Sequence, residues 1–146
     1  MRIYLDICSI QRPLDTLNQT RVRLEAEAIL GVLEKVDAGG IELVSSTVLE
    51  LELARNTLAV RREHGEKVLA RAIEVIVVDE MIEERALTFT EKGVAAMDAF
   101  HLAAAESALL DYFCTCDDKF YRRAKRITDL AIKVVNPLEL IEVLEK

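Results

Sequence analysis

The chain has 146 residues, 51% hydrophobic and 31% charged, with a formal net charge of −7; this is the balance of an ordered protein with a core, and it excludes a disordered or membrane-embedded chain. The length predicts one compact domain over residues 1–146, large enough to bury a self-supporting core. The acidity excludes binding of nucleic acid through bulk positive charge, but not through a divalent cation gathered in one acidic pocket.

MRIYLD sets one Arg before a short apolar stretch. That is too brief for a secretory signal, and no apolar run nears the roughly 20 residues of a membrane helix, so cytoplasmic residence is expected. Ile3–Leu5 reads as a strand and ends at Asp6. Arg21–Val36 carries Val22, Ala26, Ile29, Leu30, Leu33 and Val36 at helical spacing, with Gly39-Gly40 as its stop. Ile41–Val44 is the second strand, closed by Ser45 and Ser46. Ser46 or Thr47 caps the next helix, which bears Glu50 and Glu52 and ends near Asn56. Arg61–Ile73 reads as a helix with His64 at its surface, Val75–Val78 as a strand ending at Asp79, and Glu80–Glu91 as a helix.

Val94–Leu110 is apolar on nearly every face, the pattern of a buried helix, yet it contains Asp98 and, three residues on, His101. Tyr112–Thr115 is the fourth strand and leads to Asp117 and Asp118. A basic helix, Lys119–Leu130, follows with Lys119, Arg122, Arg123, Lys125 and Arg126; Ile132–Val135 and Leu138–Glu145 are the last strand and helix. Glu25, Glu63, Glu66, Glu83 and Glu142 are expected on solvated helix faces. Cys8, Cys114 and Cys116 are odd in number and lack a zinc-binding pattern, so reduced thiols are expected.

Strands alternating with helices imply an α/β fold with a parallel four- or five-stranded sheet flanked by helices. Ligands of such sheets bind beyond the carboxyl ends of the strands. Asp6, Glu50 or Glu52, and Asp117 or Asp118 all fall at that edge, and Asp98 needs a partner because a lone buried carboxylate is costly. Each has a plainer use: Asp6 in a turn, Asp98 in a first helical turn favoured by the helix dipole, Asp117 as a cap. Oxygen-only ligands suit Mg²⁺ or Mn²⁺, and such ions support phosphodiester hydrolysis.

YLD at Asp6, SSTVLELEL with Glu52, MDAFHLAAA with Asp98 and TCDDKF with Asp117 together resemble the PIN-domain family, particularly its toxin-like members of the VapC type. The resemblance spans nearly the whole chain. It implies a three-layer α/β sandwich, a homodimer, and a ribonuclease often silenced by a small antitoxin protein. It also implies that Asp6, Asp98 and Asp117 are metal ligands, that Glu52 completes the site or positions the attacking water, and that Thr115 orients the loop before Asp117. Ile7 and Cys8 stand where the family often has Thr and Asn or Ser. Independently of the resemblance, Lys119, Arg122 and Arg123 are candidate contacts to RNA phosphates, with Arg55, Arg61 and Arg62 as possible additions to the same rim, or all are simply a solvated face.

Two other functions fit parts of the chain. A receiver-like signalling domain would be phosphorylated on Asp79, but it would need an acidic pair after the first strand and a Lys after the last. A catalytically silent PIN-like binding module is disfavoured by retention of all four acidic positions.

Overall fold

The computed structural model describes residues 1–146. Its elements in chain order are β1 (Arg2–Leu5), α1 (Ile7–Gln11) running into a 3₁₀ turn (Arg12–Leu14), α2 (Thr20–Asp37), β2 (Glu42–Ser46), α3 (Thr47–Ala54) and α4 (Ala59–Leu69). Then come β3 (Glu74–Ile76), α5 (Glu80–Glu91), α6 (Ala96–Ser107), β4 (Tyr112–Cys114), α7 (Asp118–Lys125), β5 (Lys133–Val135) and α8 (Pro137–Leu144). The five strands form one sheet in the order β3-β2-β1-β4-β5, and every pairing is parallel. Ile3 pairs with Leu43 on one side and with Tyr112 on the other, so β1 lies at the centre.

The central strands are buried because helices cover the sheet, which is why their sequences are apolar runs and not alternations. Tyr4 and Phe113 stack 5.1 Å apart, and the Phe120 ring meets Phe113 edge-on at 5.4 Å. This aromatic row joins β1, β4 and α7 directly beneath the carboxyl ends of the strands. At the β3 edge pairing stops after Ile76, leaving Val77 69% exposed, so the expected strand through Val78 is shorter.

Local chemistry sets the helix ends. Ser46 accepts from Leu49 N at 3.1 Å and Asp79 accepts from Ile82 N at 2.9 Å, capping α3 and α5. Gly39, at φ 85°, follows α2 in the left-handed conformation that suits glycine and ends the helix where expected. The helix α1 has no apolar periodicity to announce it; Asp6 caps it by accepting from Ser9 N at 3.0 Å.

One expectation about α2 fails. Leu30 is 48% exposed, whereas Glu25, placed on a solvated face by the sequence reading, is 1% exposed. The buried carboxylate is held by Arg12 at 3.2 Å from the 3₁₀ turn and by Arg21 at 3.6 Å from one helical turn earlier. Two guanidinium groups replace the water that the charge loses on burial.

Gly65 lets α4 approach α3 closely: a Cβ there would collide with both methyl groups of buried Leu53. Gly65→Ala is therefore expected to lower stability by a net 1–2 kcal/mol or about that, overpacking outweighing the gain in helix propensity. Urea denaturation checks it, and a variant as stable as the parent would show that Leu53 repacks freely. No helix is long and apolar enough to cross a membrane.

Candidate functional site

Going from β1 to β3 the chain winds to one side, and with β4 and β5 it winds to the other, so the topological switch lies between β1 and β4. A crevice opens at the carboxyl ends of strands where such a reversal occurs. Here it is a cavity of about 310 Å³ lined by Asp6, Glu52, Asp98 and Asp117, together with Asp15, Arg61 and His101 among others.

Asp6 leaves the end of β1, where its N–H still donates to Cys114 O at 3.2 Å. Its side chain is 4% exposed as a residue, and Oδ1 accepts from Ser9 N and from the Cys8 thiol at 3.1 Å. Burial raises its affinity for a proton, and the Thr115 hydroxyl, Cys8 and Ser9 pull the other way. Asp98 sits in the first turn of α6, so the helix begins later than the sequence pattern suggested and its dipole points at the carboxylate. Even so, Asp98 is pushed up to about 6, first by burial and then by the charges of Asp6, Asp117 and, less strongly, Glu52.

Asp117 is exposed and caps α7, Oδ1 accepting from Lys119 N at 2.9 Å and Phe120 N at 3.1 Å. Thr115 Oγ1 accepts from Asp117 N at 3.0 Å, so Thr115 shapes this loop. Asp117 and Asp6 thus serve as caps and line the cavity at once; the two uses do not compete. Asp118 is held instead by Arg21 through two hydrogen bonds of 2.6 and 2.5 Å. Of the two glutamates on α3, Glu52 lines the cavity and Glu50 lies in a separate depression with Glu66 and Leu69.

Several placements differ from expectation. Lys119, Arg122 and Arg123 follow the site in sequence, but none lines the cavity; the guanidinium that does is Arg61, held by Asp15 at 2.9 Å. His101 hydrogen-bonds not to Asp98, its neighbour on the helix, but to Glu52 Oε1 at 3.0 Å. Its Nδ1 meets the Tyr4 hydroxyl at 2.6 Å, and that hydroxyl meets Ser46 Oγ at 2.7 Å. Burial raises the proton affinity of Tyr4 strongly, so its hydroxyl remains a donor. Asp79 lines a different cavity beside β3 and α5 and does not join Asp6, Glu52, Asp98 and Asp117, as a receiver-like site would require.

The donor set fits a hard divalent cation by its chemistry: carboxylate oxygens, a protected cavity, and one carboxylate whose ionisation the others oppose. No three acidic, histidine or cysteine side chains already stand close enough to form an assembled cage. Uncompensated carboxylates repel, and Asp6, Glu52 and Asp117 each have one oxygen engaged by a protein donor.

The model of the PIN-domain family matches residues 20–126, a span that includes Glu52, Asp98 and Asp117 but not Asp6. No curated protein matches the chain. Solved structures similar in fold include FitAcB from Neisseria gonorrhoeae, with 18% identity, a TM-score of 0.60, and coverage of 93% of this chain and 98% of that one. VapBC2 from Rickettsia felis, bound to a DNA fragment from their promoter, has 15% identity, a TM-score of 0.62, and the same coverages of 93% and 98%. PAE2754 from Pyrobaculum aerophilum has 17% identity, a TM-score of 0.58, and coverage of 99% and 98%. With most of its length matched by the family model, and with a five-stranded parallel sheet in the order β3-β2-β1-β4-β5, this chain belongs to the PIN-domain family.

Proposed function

We propose that the chain is a metal-dependent ribonuclease that holds Mg²⁺ or Mn²⁺ among Asp6, Asp98 and Asp117, with Glu52 completing the site. The observation that carries this reading is the convergence of Asp6, Glu52, Asp98 and Asp117 on one cavity at the carboxyl ends of the strands, where a cation would relieve the burial and mutual repulsion of their charges. Family membership supports it, since PIN domains are generally nucleases. When bound, the ion supplies charge for the scissile phosphate and acidifies a water.

The side chains have distinct tasks in this reading. Ser9, Cys8 and Thr115 hold Asp6 in place at the end of β1, and the α7 amides hold Asp117. Asp98 enters from the helix opposite, and Glu52 is turned toward the cavity to orient the attacking water. Arg61 contacts the phosphate beside the scissile one, Asp15 keeping its guanidinium in place, while Lys119, Arg122 and Arg123 meet phosphates farther along the strand. A small antitoxin partner and a homodimer are part of the same proposal; the VapBC relatives, which are antitoxin–toxin complexes, support the first.

Incubation of the protein with single-stranded RNA, with Mn²⁺ and then with excess chelator, tests the activity. Cutting that needs the metal and spares single-stranded DNA is the expected result; equal cutting in chelator would overturn the metal dependence. Arg61→Met should raise KM for RNA about tenfold while kcat changes less than about twofold, the loss of one charge-assisted contact made equally in ground and transition states. Steady-state kinetics on a short oligonucleotide check it, and an unchanged KM would remove Arg61 from substrate binding.

A further inference from the structure

We propose that His101 is the positioning residue of Glu52, the last link of a one-way hydrogen-bond relay that starts at the amide of Leu49 and fixes which carboxylate oxygen faces the cavity. The proposal rests on the metal-site reading above and adds a residue to it that the acidic pattern does not contain.

The relay joins Ser46, Tyr4, His101 and Glu52 by contacts of 2.7, 2.6 and 3.0 Å. Ser46, Tyr4 and His101 are at most 1% exposed, so water cannot substitute for any missing partner inside it. Glu52, by contrast, keeps 34% of its side chain open at the cavity. Chemistry at the two ends sets the direction. A carboxylate only accepts, so Nε2 of His101 donates to Glu52 Oε1. A neutral imidazole that carries its one hydrogen on Nε2 accepts at Nδ1, so the Tyr4 hydroxyl donates there. The Tyr4 oxygen then accepts from the Ser46 hydroxyl, and Ser46 Oγ accepts from Leu49 N at 3.1 Å.

Every donor and acceptor is used once in this arrangement. None of the relay atoms is among the buried polar side-chain atoms that make no hydrogen bond, which are Gln11 Oε1, Arg12 Nε, Glu25 Oε1 and Ser45 Oγ. Reversing the chain would make Ser46 Oγ accept from both Leu49 and Tyr4 and would leave the serine hydrogen without an acceptor. The peptide geometry of the α3 cap therefore selects the histidine tautomer two side chains away. Glu52 Oε1 is held by His101, and Oε2 is left for the cavity. A carboxylate free to rotate would offer either oxygen in many orientations; this one offers a single oxygen on a fixed axis, which is how supporting hydrogen bonds strengthen a metal or water site.

Two measurements test the relay. Long-range proton–nitrogen correlation on histidine-labelled wild-type protein should find His101 with its hydrogen on Nε2; a hydrogen on Nδ1, or on both nitrogens, overturns the proposal. Calorimetric titration with Mn²⁺ should show His101→Leu binding about tenfold more weakly, while His101→Gln, whose amide can still donate to Glu52, stays within about threefold of the parent. On a Glu52→Gln background His101→Leu should add nothing further. Unfolding curves for each variant separate these effects from lost stability. Mn²⁺ binding by His101→Leu equal to the parent's overturns the positioning role alone, whereas a parent protein that binds no Mn²⁺ overturns the metal-site reading on which it depends.

Discussion

Asp98→Asn is expected to abolish Mn²⁺-dependent RNA cleavage, with at least about a 100-fold loss in kcat/KM, while making the metal-free protein more stable at neutral pH. The two effects come from one cause. Asp98 is pushed up to about 6 from an ordinary 3.8 by burial and by Asp6, Asp117 and Glu52. Its native-state proton affinity thus exceeds that of the unfolded chain. The stability it contributes is full below the unfolded value of 3.8 and is lost as pH rises through about 6, because the ionised carboxylate is better solvated when unfolded.

The side chain is partly open to water, so the cost at neutral pH is discounted to about 1 kcal/mol. Asparagine keeps the shape and removes the charge. The difference in melting temperature between variant and parent should therefore be near zero at pH 4 or about that, and should favour the variant at pH 7 or about that. Added Mn²⁺ should raise the melting temperature of the parent alone. Retained cleavage would remove Asp98 from the chemistry, and a variant less stable than the parent at neutral pH would mean that the carboxylate has a structural partner in the fold.

Phe113→Ala is expected to destabilise the protein by about 3–5 kcal/mol, more than Gly65→Ala. The ring is fully buried and lies between Tyr4, in a stack tilted by 19°, and Phe120, which meets it at 89°. Removing it leaves a cavity at the centre of the sheet and frees the Tyr4 ring whose hydroxyl holds His101. Urea denaturation should show a lower midpoint with an unchanged slope. A cost below about 1 kcal/mol would mean that the neighbouring rings close over the gap.

The parallel sheet was readable from sequence because its strands are short β-branched or aromatic runs separated by helical periods, and the acidic residues stand where those runs end. Asp6, Glu52, Asp98 and Asp117 reach one cavity because parallel strands bring all their carboxyl ends to one edge. Spacing along the chain left Glu50 against Glu52 and Asp117 against Asp118 open, and neighbours remote in sequence divide them: Arg21 engages Asp118, and His101 engages Glu52. Glu25 looked like a surface acid for the same reason, since nothing local reveals that Arg12 and Arg21 converge on it.

The relay was hidden most deeply, as Tyr4 and His101 are 97 residues apart and each looks like an ordinary core side chain. The basic stretch after Asp117 misled in the opposite way. Its charge is conspicuous in sequence, but none of its basic residues lines the cavity, and Arg61, inconspicuous among RREHGEK, reaches it.

Calorimetric titration of the wild-type protein with Mn²⁺ near pH 6, repeated in two buffers of different ionisation enthalpy, probes the shared-ion idea most directly. A cation that draws the oxygens of Asp6, Asp98 and Asp117 together must displace the proton that Asp98 partly holds there, so the expected result is saturable binding with proton release that fades by pH 8 or about that. Heat that never saturates, or binding with no proton released at either pH, would contradict it.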